Sequence, residues 1–272
     1  MPSAYQMAMT LQRYVPRRWL ALVANRVMAA KGDQRRFAVD GAGNWVNSQP
    51  QASFVGPDLH TAHYAQIEAR VAADWFHFYR PKVGDVVIDV GAGIGEDAVV
   101  LSNMVGERGK VYAIEAHPGT CGCLKATIER SLLANVEPHQ LAIMERDGAV
   151  TITDDSEHLA NNIVAGGPGI TVEGWSLDQF IASTGEPRID FLKMNSEGAE
   201  SGALRGLEEQ ATKIRNVAIS CHDFVARAGG GDYFRTRDEV RGRLIELGFA
   251  VEQRSGDLVS WEADVLFASR SG

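Results

Sequence analysis

Cysteine is scarce in this chain, with three in 272 residues: Cys121, Cys123 and Cys221. An odd, small number cannot staple a fold, which excludes a disulfide scaffold and leads us to expect a reducing, cytoplasmic setting. Cys121 and Cys123 form C-x-C with no second ligand pair at finger spacing, so two small half-buried side chains on a helix are expected there, not zinc. No run of 18 apolar residues occurs, which argues against a membrane-spanning helix. A basic n-region, an apolar h-region and a small-residue cleavage site do not follow one another, so no secretory signal is expected. Positive charge is also short, at 27 Lys and Arg against 35 Asp and Glu, and the net −8 argues against a nucleic-acid partner. Internal repeats and low-complexity tracts are lacking. What remains, 45% hydrophobic and 23% charged, suits a soluble α/β domain with additions.

The charge is uneven. Met1–Arg36 holds seven basic residues and one acid, a net +6 in a chain of −8. Within LQRYVPRRWLALVANRVMAA, apolar residues Leu11, Tyr14, Val15, Trp19, Leu22, Val23 and Val27 recur at helical spacing, with Pro16 as a divider. Such a helix packs on its own domain or on a second subunit of a homodimer. Its basic amphipathic character also fits peripheral contact with an anionic membrane, or an organelle transit sequence. Residues 1–80 are expected to form a helical arm or cap, and 81–272 the main domain.

From Val83 onward, strand-type and helix-type segments alternate. VVIDV (86–90), KVYAIEA (110–116), HQLAIM (139–144), RIDFLKM (188–194) and NVAISC (216–221) read as buried strands. Helices are expected over 96–105, 118–135, 176–183 (capped by Ser176), 199–207 and 236–248. Residues 148–174 are glycine-rich and read as an inserted hairpin or loop. FAVEQR and DVLFAS close the chain as an antiparallel pair. Repeated β-α-β units predict an α/β, Rossmann-like, doubly wound sheet, mostly parallel with an antiparallel C-terminal strand. Ligands then sit at the carboxyl ends of the strands: Asp89 to Gly95, Glu115, Ala142–Ile143, Asn195 to Glu197 and Cys221 to Asp223.

The first strand runs into VVIDVGAGIGEDAVVL. A dinucleotide turn, G-x-G-x-x-G, would need glycine at 96, where Glu96 stands; the glycines are 91, 93 and 95. Asp89, Glu96 and Asp97 surround them, and at an effective dielectric of about 20 each close like-charge pair costs about 2–3 kcal/mol. A pyrophosphate is disfavoured, and with it a nicotinamide oxidoreductase. S-adenosylmethionine, with a sulfonium, an ammonium and no phosphate, fits. Asp89 is expected to receive the ammonium, Gly91, Ala92, Gly93 and Gly95 to let backbone approach the methionine portion, and Glu115 to accept from both ribose hydroxyls. Ala116, Ala142 and Asn195 complete the expected donor site.

DVGAGIG, KVYAIEAHP, SLDQFIA and RIDFLKMNSEGAE, in this order, resemble the FkbM family of S-adenosylmethionine-dependent methyltransferases over roughly Val83 to Phe224, with an echo in DVLFAS. The resemblance implies a class I methyltransferase fold for 81–272 and O-methylation of a small molecule, typically a sugar or polyketide hydroxyl. Gly93 stands where the family often has Asn, and Asn195 where it has Asp, which removes a carboxylate from the rim.

A hydroxyl is a weak nucleophile, so a base or Lewis acid is expected at that rim. His222 is the candidate base, with Asp223 beside it and Glu197 as a substrate contact. Asn195, His222 and Asp223 are also a candidate site for Mg²⁺ or Mn²⁺. Lys193 is expected to pair, for instance with Glu197. His60, His63 and Tyr64 form H-x-x-H-Y on an expected helix; His117 and His158 read as surface residues. Trp175, Trp261, Phe224 and Tyr233 offer flat faces for a sugar ring, and AGGGDYFRT (228–236) is expected to shape the acceptor pocket. A protein that binds the donor without turnover, serving as a partner subunit, is the alternative that Asn195 raises.

Overall fold

The computed structural model describes residues 14–153, 169–255 and 261–270. At its centre lies a seven-stranded sheet: β4 (Val86–Val90), β5 (Lys110–Ile114), β6 (Val136–His139), β10 (Ile189–Met194), β11 (Ile214–Ser220), β12 (Ala250–Gln253) and β13 (Val265–Ser269). Their spatial order is β12-β13-β11-β10-β4-β5-β6. β13 runs antiparallel to both neighbours, and the remaining adjacent pairs are parallel. The expected C-terminal pair is thus present, with its second strand threaded between β11 and β12.

Helices cover both faces. α2 (Tyr64–Trp75), α3 (Glu96–Val105) and α4 (Pro118–Arg130) lie on one side; α5 (Leu177–Thr184), α6 (Glu200–Arg205) and α7 (Arg237–Glu246) on the other. The period of two along the strands divides the core. Val87, Val111, Ala113, Phe191 and Ala218 meet α2, α3 and α4. Ile88, Val90, Ile114, Leu192 and Ile219 meet α5, α6 and α7. This is the doubly wound class I arrangement, with β4 and β10 adjacent, where the strand order reverses and a crevice opens.

Two expectations are corrected. The third strand is Val136–His139, not 139–144; Pro138 is tolerated because β6 is an edge strand. Residues 142–144 instead form β7, in a separate sheet of order β7-β9-β8 with β8 (Gly148–Ile152) and β9 (Ile170–Ser176). Nor is the region before residue 80 purely helical. After α1 (Arg17–Ala30) come β1 (Arg36–Val39), β2 (Trp45–Ser48) and β3 (Ser53–Gly56), an antiparallel meander. Its first turn is built by Asp40, whose carboxylate accepts from the amides of Ala42 and Asn44, a local signal that overrides the helical expectation. α1 packs on it through Ala21, Phe37, Trp45 and Leu59. β3 is tied to α4: Val55 N donates to Thr127 Oγ1 (3.0 Å) and Ser53 N to Ser131 Oγ (2.9 Å). Cys121, Cys123 and Cys221 are free and buried.

Candidate active site

The turn after β4 holds the site together. Gly91 has φ +74°, and a Cβ there would fall 1.9 Å from the carbonyl oxygen of Asn195, the residue after β10. Asn195 N in turn donates to Val90 O (2.9 Å), so the two strand ends are pressed together. Gly93 differs: φ is +56°, and a Cβ would meet nothing within 4 Å among the described residues beyond its chain neighbours. Gly91→Ala is expected to cost about 3 kcal/mol, from left-handed strain plus a backbone clash. A urea midpoint equal to that of the parent would contradict this close approach.

The acids around the turn are engaged by cations of the protein itself. Asp89 is fully buried. Its Oδ1 lies 2.8 Å from Lys193 Nζ, which also lies 3.2 Å from Asp97 Oδ2 and donates to Gly91 O. Trp75 Nε1 donates to the same Asp97 oxygen (3.0 Å), and Lys193 Nζ sits 4.9 Å from the Trp75 ring. Arg70 joins Asp97, Glu96 and Asp74, and His60 pairs with Glu96. Burial opposes the charge on Lys193, but Asp89 and Asp97 outweigh it and hold the ammonium above its ordinary range. Burial likewise opposes ionisation of Asp97, yet Lys193 and Arg70 hold it below the usual carboxylate range. Asp89 therefore lies beneath the cavity floor, bound to Lys193, and not on the cavity wall as a free ammonium receptor. Lys193 pairs with these two acids and not with Glu197.

Glu115, unlike Asp89, faces open space. Its Oε2 accepts from Gly93 N (3.0 Å) and its Oε1 from His117 N (2.9 Å), so the backbone orients the carboxylate. Burial pushes it above its ordinary value, against those two amides. It lines a cavity of about 280 Å³ with Gly91, Gly93, Ala116, Ala142, Asn195 and Glu197. A second cavity, of about 790 Å³, is walled by the cap segment Gly56–Ala62, Arg70, Ala92, Glu96, Asp97 and Lys193. The two share Gly91, Gly93 and Asn195. A third, of about 380 Å³, shares Ile143 and Ala199 with the first and is bordered by Asp232, Tyr233 and Arg235.

Beside this junction the backbone is strained. Glu197 has φ +47°, rare for a residue with a long side chain. Gly198 follows at φ +93°, under Tyr233 and Phe234. Glu197 Oε2 lies 3.4 Å from Nε2 of His222, whose Nδ1 is 2.7 Å from the buried Glu200. Glu200 also accepts from Gly198 N and Thr236 Oγ1. Burial disfavours an imidazolium, but Glu197 and Glu200 prevail and push His222 up to about 10. A ring already protonated between two carboxylates does not act as a base at neutral pH. The stability it contributes is complete below its ordinary 6.5 and lost as pH rises through about 10. His222→Gln should abolish that fall: over pH 6 to 10 the urea midpoint of the parent declines and that of the variant does not.

The metal expectation is corrected on the same ground. Both nitrogens of His222 are turned to Glu197 and Glu200, and Asp223 Oδ2 accepts from Thr236 N and Arg237 N at the start of α7. The trio with Asn195 therefore does not present a ligand set, and no group of three or more His, Cys, Asp or Glu suited to a metal occurs among the described residues. His60 and His63 are not on one helix face: α2 starts at Tyr64, His63 is its N-cap, and His60 belongs to the cap segment. His117 is buried, N-capping α4; His158 lies outside the described residues. Gly95 caps α3 and lines neither of the first two cavities. Sequence reasoning missed Arg70 and the cap segment. The i,i+4 pair Arg70–Asp74 was visible, but nothing in the sequence tied Arg70 to acids 26 and 27 residues away.

Residues 89–250, more than half of the chain, match the FkbM methyltransferase domain. Among relatives, a probable cobalt-precorrin-6B C(15)-methyltransferase (decarboxylating) of Sulfolobus acidocaldarius is 31% identical over 83 residues, 30% of this chain and 41% of that protein. The hexuronic acid methyltransferase AglP of Haloferax volcanii is 26% identical over 140 residues, 51% of this chain and 56% of that protein. The crystal structure of a methyltransferase FkbM from Methylobacillus flagellatus superposes with a TM-score of 0.51 at 17% identity, covering 76% of this chain and 49% of that one. The chain thus spans about half the length of the relatives it matches. With the glycine turn, the cavity-lining acid Glu115 and the sheet order on one scaffold, the chain belongs to the FkbM methyltransferase domain family of S-adenosylmethionine-dependent methyltransferases.

Proposed function

We propose that the protein transfers the methyl group of S-adenosylmethionine to a hydroxyl of a small molecule, a saccharide or a glycosylated metabolite. The observation that carries this reading is the junction of two cavities at Gly91, Gly93 and Asn195: one holds the Glu115 carboxylate, and the other opens beneath the cap. Glu115 would hold the ribose hydroxyls, Ala116 and Ala142 would flank the base, and the space over Gly93 would admit the methionine portion. The open position of a Cβ on Gly93 fits that occupancy. When bound, the donor supplies an electrophilic methyl on a sulfonium, which leaves as a neutral thioether.

The protein's own part is alignment and proton handling. An in-line displacement gains much of its rate from holding the acceptor oxygen on the methyl axis. Glu197 reaches the donor cavity, and we assign it to take the hydroxyl proton as the oxygen attacks the methyl carbon. His222, itself fixed by Glu200, holds that carboxylate in place from behind. Support for a sugar acceptor comes from the resemblance to a hexuronic acid methyltransferase and from Tyr233 at the edge of the third cavity.

The test is an acceptor screen with methyl-labelled donor, run with and without EDTA. Label transfer to a saccharide hydroxyl, unchanged by EDTA, is the expected result. Donor binding with no transfer to any acceptor would instead favour a partner subunit, the reading that Asn195 leaves standing. Transfer to carbon or to a carboxylate would overturn the hydroxyl assignment.

A further inference from the structure

Among the described residues, α1 is held on one side only. At about 3.6 residues per turn, Ala21, Ala24 and Met28 share the face packed on the β1–β3 meander. The opposite face carries Trp19, Leu22, Val23 and Val27, which are 55%, 54%, 61% and 43% exposed. Arg18 and Arg26, both exposed, stand among them. Tyr14, 82% exposed, precedes the helix. Such an apolar surface normally lies inside a fold or against something else.

We propose that this outward face of α1 seats the protein on a membrane surface bearing anionic headgroups. Charge selects the occupant. From Tyr14 to Gly32 the chain has Arg17, Arg18, Arg26 and Lys31 and no acid, although the protein as a whole is −8. A face that is both apolar and cationic matches the boundary between acyl chains and negative headgroups, where arginine stems lie along apolar surface and tryptophan sits with one end dry. Size argues against a second copy of the chain: one face of a 14-residue helix is small beside the roughly 800 Å² that each partner of a stable complex buries. Contact in the plane of the membrane is also the geometry available, since no helix of the described residues is long and apolar enough to cross it. The helix is already anchored from within, so docking needs no ordering step. Leu59 joins the inner core of α1 and also lines the larger cavity, so the seated helix and that cavity share a wall.

The experiment is co-sedimentation of the full chain with vesicles of phosphatidylcholine alone or mixed with phosphatidylglycerol, at low and high salt. Sedimentation with the anionic vesicles, lost at high salt, is expected. Trp19→Glu with Val23→Glu should weaken it at least tenfold, and Arg18→Gln and Arg26→Gln by about fivefold each. All these side chains point outward, and unchanged melting temperatures will show that the variants fold. Equal binding to both vesicle types, or binding to neither, overturns the proposal. So does a dimer in solution that Trp19→Glu dissociates, because it gives the face to a second copy.

Discussion

Replacement of Lys193 by methionine is expected to destabilise the protein by about 3–5 kcal/mol, the usual range when one partner of a buried ion pair is removed. Lys193 is 2% exposed and its ammonium is shared between Asp89, 0% exposed, and Asp97. Without it, two carboxylates face each other in the core, and Arg70 reaches only the outer one. Burial, joined by the like charge of Asp97, then drives the Asp89 carboxyl further above the ordinary 3.8. Below that raised value the folded state of the variant holds a proton that the unfolded chain releases, so its stability should rise as pH falls through the raised value toward the ordinary 3.8. Urea denaturation at pH 5 and pH 8 checks the sign: the deficit relative to the parent should be smaller at pH 5. Adding Asp89→Asn and Asp97→Asn to the methionine variant should recover much of the loss, because neutral groups need no counter-charge. A methionine variant as stable as the parent at pH 8 would mean that the turn does not depend on this cation.

Glu115→Ala is expected to weaken binding of S-adenosylhomocysteine by about a hundredfold with little effect on folding. Hydrogen bonds to a charged acceptor contribute about 1.5–3 kcal/mol each, and loss of two at the lower end of that range, about 3 kcal/mol, corresponds to that factor. The side chain faces the cavity, and the amides of Gly93 and His117 that it releases border the same space, where solvent can satisfy them. Calorimetric titration of parent and variant, with NADH in parallel, reads the result. Unaltered affinity for S-adenosylhomocysteine would remove Glu115 from the donor site, and NADH binding would return the nicotinamide reading.

These two residues show how far the sequence could be read. The run VVIDV and its glycines placed β4 and α3 at their observed bounds, because a β-branched strand bounded by a glycine turn has few alternatives. Glu115 followed from its position at the end of the next strand. The electrostatic argument that led to the donor was right in its conclusion and incomplete in its premise. Asp89, Glu96 and Asp97 were counted as free acids, whereas Lys193, Arg70 and His60 engage them. That pairing spans elements far apart in the chain, and no local pattern encodes it. His222 was chosen as a base from its place on the rim; the two carboxylates that charge it come from 22 and 25 residues away and reverse its role. The turn that Asp40 builds was not anticipated, and with it the meander inside the expected helical arm.

Trp75 occupies a vantage that the other four tryptophans lack. Its indole N–H is bonded to Asp97 and its ring lies under the Lys193 ammonium, directly beneath the glycine turn. A charge at that distance tunes the excited state of an indole, so the emission of Trp75 is a built-in optical gauge of the turn's electrostatics. With the remaining tryptophans replaced by phenylalanine, arrival of a sulfonium above Gly93 could be followed by fluorescence in real time, without any attached dye.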